Sequence, residues 1–225
     1  MIPPIYNQGD PRWRDVVIGH WADGSNVTIG SHGCLMTCEA MRLPAYGYSD
    51  TPDLLYTKGK VEGVFDGEGN FKWSGMEDIY PNLAHQERKY TSNFMGNTAD
   101  GSLKWTPAAA IERIKLLLLM GQPVPIEVRL PSQHFILAKL WDDTRKDFLC
   151  NDPNGGIETW FKDRYGPLET KLMGWIVSVG PTAWFPANST PERQQMGLAL
   201  GYAQLAARGK DTKANALRAA ESLLR

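Results

Sequence analysis

"HFILAKLWDDTRKDFLCNDP" (residues 134–153) sets two apolar runs, HFILAKLW and FLCNDP, on either side of the turn-forming DDTRKD. Runs of this length bounded by turn residues predict an antiparallel β-hairpin. "PVPIEVRL" (123–130) and "GWIVSVG" (174–180) supply further strands of the same sheet. A hairpin centred on Asp143 sets His134 directly across from Asp152 on one face, where a carboxylate can orient an imidazole.

Upstream, "TIGSHGCLMTCEAM" (28–41) passes from a turn-like run to a helical one, with Leu35, Cys38 and Met41, and beside them Met36 and Ala40, forming the buried stripe. Pro44 is the expected stop. Cys34 stands at the head of this helix. A thiol attacks as its thiolate, which the positive end of a helix and a neighbouring imidazolium both favour, and Gly33 lets backbone and substrate approach closely. "WTPAAAIERIKLLLLMG" (105–121) predicts a helix over residues 107–120, with Thr106 as N-cap, Pro107 in the first turn and Gly121 as the stop. Between Tyr56 and Trp105 the pattern is weaker. "DGEGN" (66–70) is a turn between short strands, and Trp73, Tyr80 and Trp105 are packing residues.

From Ser189 the composition shifts to Ala, Leu, Gln and Arg. Two helices follow, with Thr190 and Asp211 as N-caps. The organisation is α+β: a cysteine helix packed on an antiparallel sheet in residues 1–185, and a helical appendage in 186–225.

Lys and Arg number 24 against 25 Asp and Glu, a net charge of −1, so no bulk attraction to nucleic acid or an anionic membrane is expected. The N-terminus does not read as a secretory signal. The most apolar run, "IKLLLLMG" (114–121), is far short of the ~20 residues that cross a bilayer. The expected location is cytoplasmic or virion-associated. Three cysteines cannot complete a disulfide framework, so free thiols are expected, with Cys38 and Cys150 in the core. His32, Cys34, Cys38 and Cys150 lack a standard zinc spacing, and neither a metal nor a cofactor is expected. His20, Trp21 and His32 either line a substrate cleft or pack the helix start.

Gln8, in "YNQGDPRW" (6–13), carries an amide able to donate to a developing oxyanion, worth about 2.7–4 kcal/mol in acyl transfer. Gln8 with "NQGDPRW", "GCLMTCEAM" (33–41), "GQPVPIEVR" (121–129) followed by His134, and "NDPNGG" (151–156) together resemble the C39-like branch of the papain-like cysteine peptidases, over roughly residues 5–180. The resemblance implies a papain-like fold, with Cys34 as nucleophile, His134 as general base and acid, Asp152 orienting it and Gln8 as oxyanion donor; Asn151 is the substitute for Asp152. The transporter-associated members carry an acidic residue before the cysteine and a glycine after it. Here the text is His32, Gly33, Cys34, Leu35.

The expected activity is hydrolysis of a peptide or peptidoglycan-peptide bond, in a bacterial or phage context. Acyl transfer to an amine would use the same residues. The alternative is an inactive papain-like scaffold or virion component that docks a protein partner through its C-terminal helices.

Overall fold

A computed structural model describes residues 3–72, 75–81, 83–96, 104–130 and 133–179, together with Gln195, Ala199, Ala203, Leu217 and Arg218; at 84–87 and 179 it is the backbone that is described. In chain order the elements are β1 (Val17–His20), β2 (Asn26–Thr28), α1 (Ile29–His32), α2 (Cys34–Arg42), α3 (Pro52–Val61), α4 (Met76–Ile79), β3 (Ala84–Tyr90), α5 (Pro107–Leu119), β4 (Val124–Arg129), β5 (Gln133–Asp142), β6 (Asp147–Asp152), β7 (Ile157–Trp160), α6 (Phe161–Tyr165), α7 (Leu168–Lys171) and β8 (Leu172–Val179). β1 and β2 form a small ribbon. The other six strands form one antiparallel sheet in the order β3-β8-β4-β5-β6-β7. This is the α+β, papain-like arrangement expected. The predicted extension over 186–225 lies outside the described residues except for the five named.

The central strands are apolar on both faces because both are covered. Ala110, Ile114, Leu117 and Leu118 of α5 meet Ile126, Val128, Ile136 and Trp175 on one face. On the other, Cys38 and Met41 of α2 meet Phe135, Leu137 and Ile176. A third cluster, including Trp13, Ile29, Met36, Leu55 and Tyr80, packs α2 against the ribbon and α3.

α5 begins as expected: the Thr106 hydroxyl accepts from Ala109 N at 3.2 Å, and Pro107 needs no partner for a missing N–H. Gly121 closes it at φ 74°. Pro44 does not end the cysteine helix abruptly. It lies in a 3₁₀ turn, Leu43–Tyr46, and Gly47 at φ 88° stops the chain there. Asp66–Asn70 is the predicted turn, bridged by Phe65 and Phe71. Tyr80 is buried, whereas Trp105 is 38 % exposed and meets Trp175 edge-on; Trp73 lies outside the described residues.

The hairpin register differs from a turn centred on Asp143. The loop spans residues 143–146, with Lys146 at φ 53°, and Asp142 pairs with Asp147. The ladder runs through Trp141↔Phe148 and Leu140↔Leu149, then resumes at Ala138↔Cys150, so Lys139 is an extra residue in β5, a β-bulge. Continued past Leu137↔Asn151, the ladder sets Asp152 across from Ile136, two residues from His134. An even offset keeps both side chains on one face and within diagonal reach.

Candidate active site

α1 and α2 are two helical segments broken at Gly33. The capping box of α1 closes on Thr28 and Ser31. In an unbroken helix the Gly30 carbonyl would accept the N–H four residues on, from Cys34. It accepts Gln8 Nε2 instead, at 2.9 Å, and Cys34 opens α2 as its first residue. A Cβ at Gly33 would lie 2.5 Å from Ile29 O and 2.8 Å from Ile29 Cα, so the break requires glycine for close approach.

His134, second residue of β5, lies 2.9 Å through Nε2 from Asp152 Oδ1, and the Cys34 thiol shares its cleft and acts on its charge. With Nε2 committed to the carboxylate, Nδ1 is the nitrogen left for sulfur. Burial pulls the imidazole pKa down, but hydrogen bonds to Asp152 and Cys34, and their charges, outweigh it and raise the pKa to about 9. The Asp152 carboxyl is fully buried. Desolvation pushes its pKa up, and bonds with His134 and Tyr165, the imidazolium charge and the Asn154 N–H bring it below the usual value.

Asp152 is gripped on both oxygens. Oδ1 accepts from Asn154 N at 2.8 Å besides His134; Oδ2 accepts from the Tyr165 hydroxyl and lies 2.6 Å from Arg164 Nε. Burial and the bond to Asp152 hold the Tyr165 phenol well above its ordinary pKa, so it donates. Arg164 also donates to Asn154 O at 3.0 Å. Sequence reasoning missed Arg164 and Tyr165. Asn151 lies elsewhere: its Nδ2 donates to Pro4 O at 2.9 Å and Pro3 O at 3.3 Å, anchoring the N-terminal segment.

Gln8 is fixed by its main chain too, with its N–H on Pro153 O at 2.9 Å, one residue beyond Asp152. Gly156, at φ 62°, allows Asn7 to lie close by; a Cβ there would come within 2.7 Å of Asn7 Cβ. Gln8, Cys34 and His134 line one cleft of about 580 Å³, with Trp21, His32 and Arg88 among its walls. Trp21 and His32 line this cleft and also meet edge-on at 4.9 Å. His20 lies outside this cleft, beside a second depression lined by Tyr56 and Lys60. Cys38 and Cys150 are fully buried, and all three thiols are free. Among the described residues no group of three or more His, Cys, Asp or Glu is arranged to hold a metal ion, and no helix is long and apolar enough to cross a membrane.

The family profile described as "Peptidase_C39 like family" matches residues 4–175, from just before Gln8 into β8. The chain belongs to the C39-like peptidase family. No curated protein sequence matches it. Membership supports peptide-bond hydrolysis by a cysteine peptidase, and the span of the match takes in every residue of this C39-like cleft named above.

Proposed function

We propose that the protein is a cysteine peptidase in which Cys34 is the nucleophile, His134 the general base and acid, Asp152 the group that orients it, and Gln8 with the Cys34 N–H the oxyanion donors. The observation that carries this reading is the imidazole of His134, held on Asp152 at 2.9 Å and lining one cleft with the thiol at the head of α2.

Cys34 Sγ, its proton already held on His134, attacks the scissile carbonyl carbon. The oxygen of the tetrahedral intermediate becomes an anion facing the Gln8 amide and an N–H that the break at Gly33 leaves outside the helical ladder. Collapse breaks the C–N bond, and His134 gives its proton to the departing amine. Water, deprotonated by the same imidazole, then cleaves the thioester and frees the thiol. A peptide is the substrate class; peptidoglycan peptides in a bacterial or phage setting are the narrower candidate.

Alkylation of Cys34 by iodoacetamide against pH, read by mass spectrometry of the labelled peptide, tests the mechanism. Labelling that stays fast well below pH 8 and slows in His134→Ala is expected. Slow labelling that rises only near pH 8.5, alike in both proteins, would leave an inactive papain-like scaffold. Digestion of purified peptidoglycan, with release of new amino termini, checks the narrower substrate.

A further inference from the structure

Behind one wall of the cleft lies a buried carboxylate with no place in the chemistry above. Glu127, in the interior strand β4, is completely buried. A buried charge destabilises a sheet unless it is paired and hydrogen-bonded. Glu127 is paired with Arg88 of the edge strand β3: Nη2 donates to Oε1 at 2.6 Å and Nε to Oε2 at 3.1 Å. Gln133, next to His134, donates Nε2 to Oε1 at 2.7 Å. The guanidinium also lies over the rings of Tyr90, Phe94 and Phe135, at 4.8, 5.4 and 5.5 Å. Two strands, a buried acid and three rings thus hold one cation in one pose, and its side chain stays 20 % exposed.

Arg88 and Gln133 both line the cleft that contains Cys34. No Asp or Glu stands among the described residues lining it, and Arg88 is its one permanently charged residue. Glu127 engages Nε and one proton of Nη2, so Nη1 and the second Nη2 proton have no acceptor among the described residues. A planar donor edge of this kind matches a carboxylate.

We infer that Arg88, held by Glu127, is a specificity residue that binds a carboxylate of the substrate, so that this peptidase selects acidic peptides. The inference rests on the cleft being the substrate site proposed above, and its test is a binding measurement that needs no turnover. The carboxylate is either an acidic side chain or a free C-terminus, and the peptides separate the two.

Cys34→Ala protein is titrated calorimetrically with a peptide series in which Glu replaces Gln at each position in turn, each made with a free and an amidated C-terminus. At least one Glu or free-acid peptide is expected to bind roughly tenfold or more tightly than its neutral partner. That preference should vanish with Arg88→Gln. Since Arg88→Gln strands a buried carboxylate, Arg88→Gln/Glu127→Gln is tested beside it as a neutral, hydrogen-bonded replacement. Equal affinity for charged and neutral partners, or a preference that survives in the double variant, would overturn the inference. Failure of thiol activation at Cys34 would instead overturn the hydrolase reading and leave the preference measurable.

Discussion

Arg164 Nε lies 2.6 Å from Asp152 Oδ2, the carboxylate oxygen that His134 does not use. The guanidinium therefore draws on the same negative charge that supports the imidazolium. Arg164→Gln should raise the pKa of Asp152 and, by freeing more of its field for the imidazole, move the His134 titration upward. Tyr165→Phe should instead cost about 1–3 kcal/mol of stability, because a buried carboxylate oxygen loses a donor. NMR titration of the His134 Cε1 proton, with urea unfolding alongside, checks both; a His134 curve unmoved by Arg164→Gln would show a packing role only.

The pKa of His134 rises from 6.5 to about 9 on folding, so its imidazolium is bound more tightly in the native state. Its contribution to stability is complete below pH 6.5 and is lost as pH rises through about 9. Asp152 behaves oppositely: its pKa is depressed, so its contribution is present above pH 3.8 and is lost as pH falls below that. Thermal midpoints should therefore decline between pH 6.5 and 9 in the wild type and much less in His134→Gln. Hydrolysis should fall over the same alkaline range, because a neutral imidazole cannot protonate the leaving amine.

Gln8 meets the Gly30 carbonyl through the amide that is proposed to face the oxyanion. Gln8→Ala should lower kcat by about 10²–10³ with little change in KM, the pattern of an interaction made in the transition state. Gln8→Glu should be at least as damaging, since a carboxylate would oppose both Gly30 O and the developing anion. Steady-state kinetics on one cleaved peptide distinguishes these from a folding defect that would scale active enzyme alone.

Gly33→Ala drives a methyl group into the Ile29 backbone. Relief requires α1 or α2 to shift, at a cost of about 1–3 kcal/mol. Because Cys34 is the next residue, its alkylation should slow at least tenfold under conditions where circular dichroism still reports a folded protein.

Much of this was legible, and the exceptions have particular causes. α5 carries Thr106, Pro107 and Gly121 at its ends, each with a local physical reason, so its bounds could be read directly. α3 opens on the same Thr–Pro pair, Thr51 and Pro52, with Asp53 in its first turn, but its buried side is only Pro52, Leu55 and Gly59, too thin a stripe to register as a period. β3, "AHQERKY", is a polar edge strand with no alternation to find. In the cleft, the order Gln8, Cys34, His134, Asp152 was visible because reactive side chains fall beside turns and element ends. Arg164 and Tyr165 were not, since nothing local ties α6 to Asp152. The register was missed because the turn is centred between Thr144 and Arg145, and the bulge at Lys139 restores the shared face. Without that bulge the pairing at the turn would carry Asp152 opposite Leu137, on the wrong face for His134. A buried Lys139 paired with Glu158 of β7 holds the correction in place.

The main-chain bond from Gln8 N to Pro153 O has a consequence for the growing polypeptide. Gln8 and Cys34 leave the ribosome a hundred residues or more before His134, Asp152 and the turn that receives Gln8, on the order of ten seconds at the usual speed of translation. Until then the thiol lacks His134 and the glutamine has no turn to dock on. On the mechanism proposed above, a nascent chain is thus chemically quiet, and competence arrives only once the segment that carries His134 and Asp152 has closed over the one that carries Gln8 and Cys34.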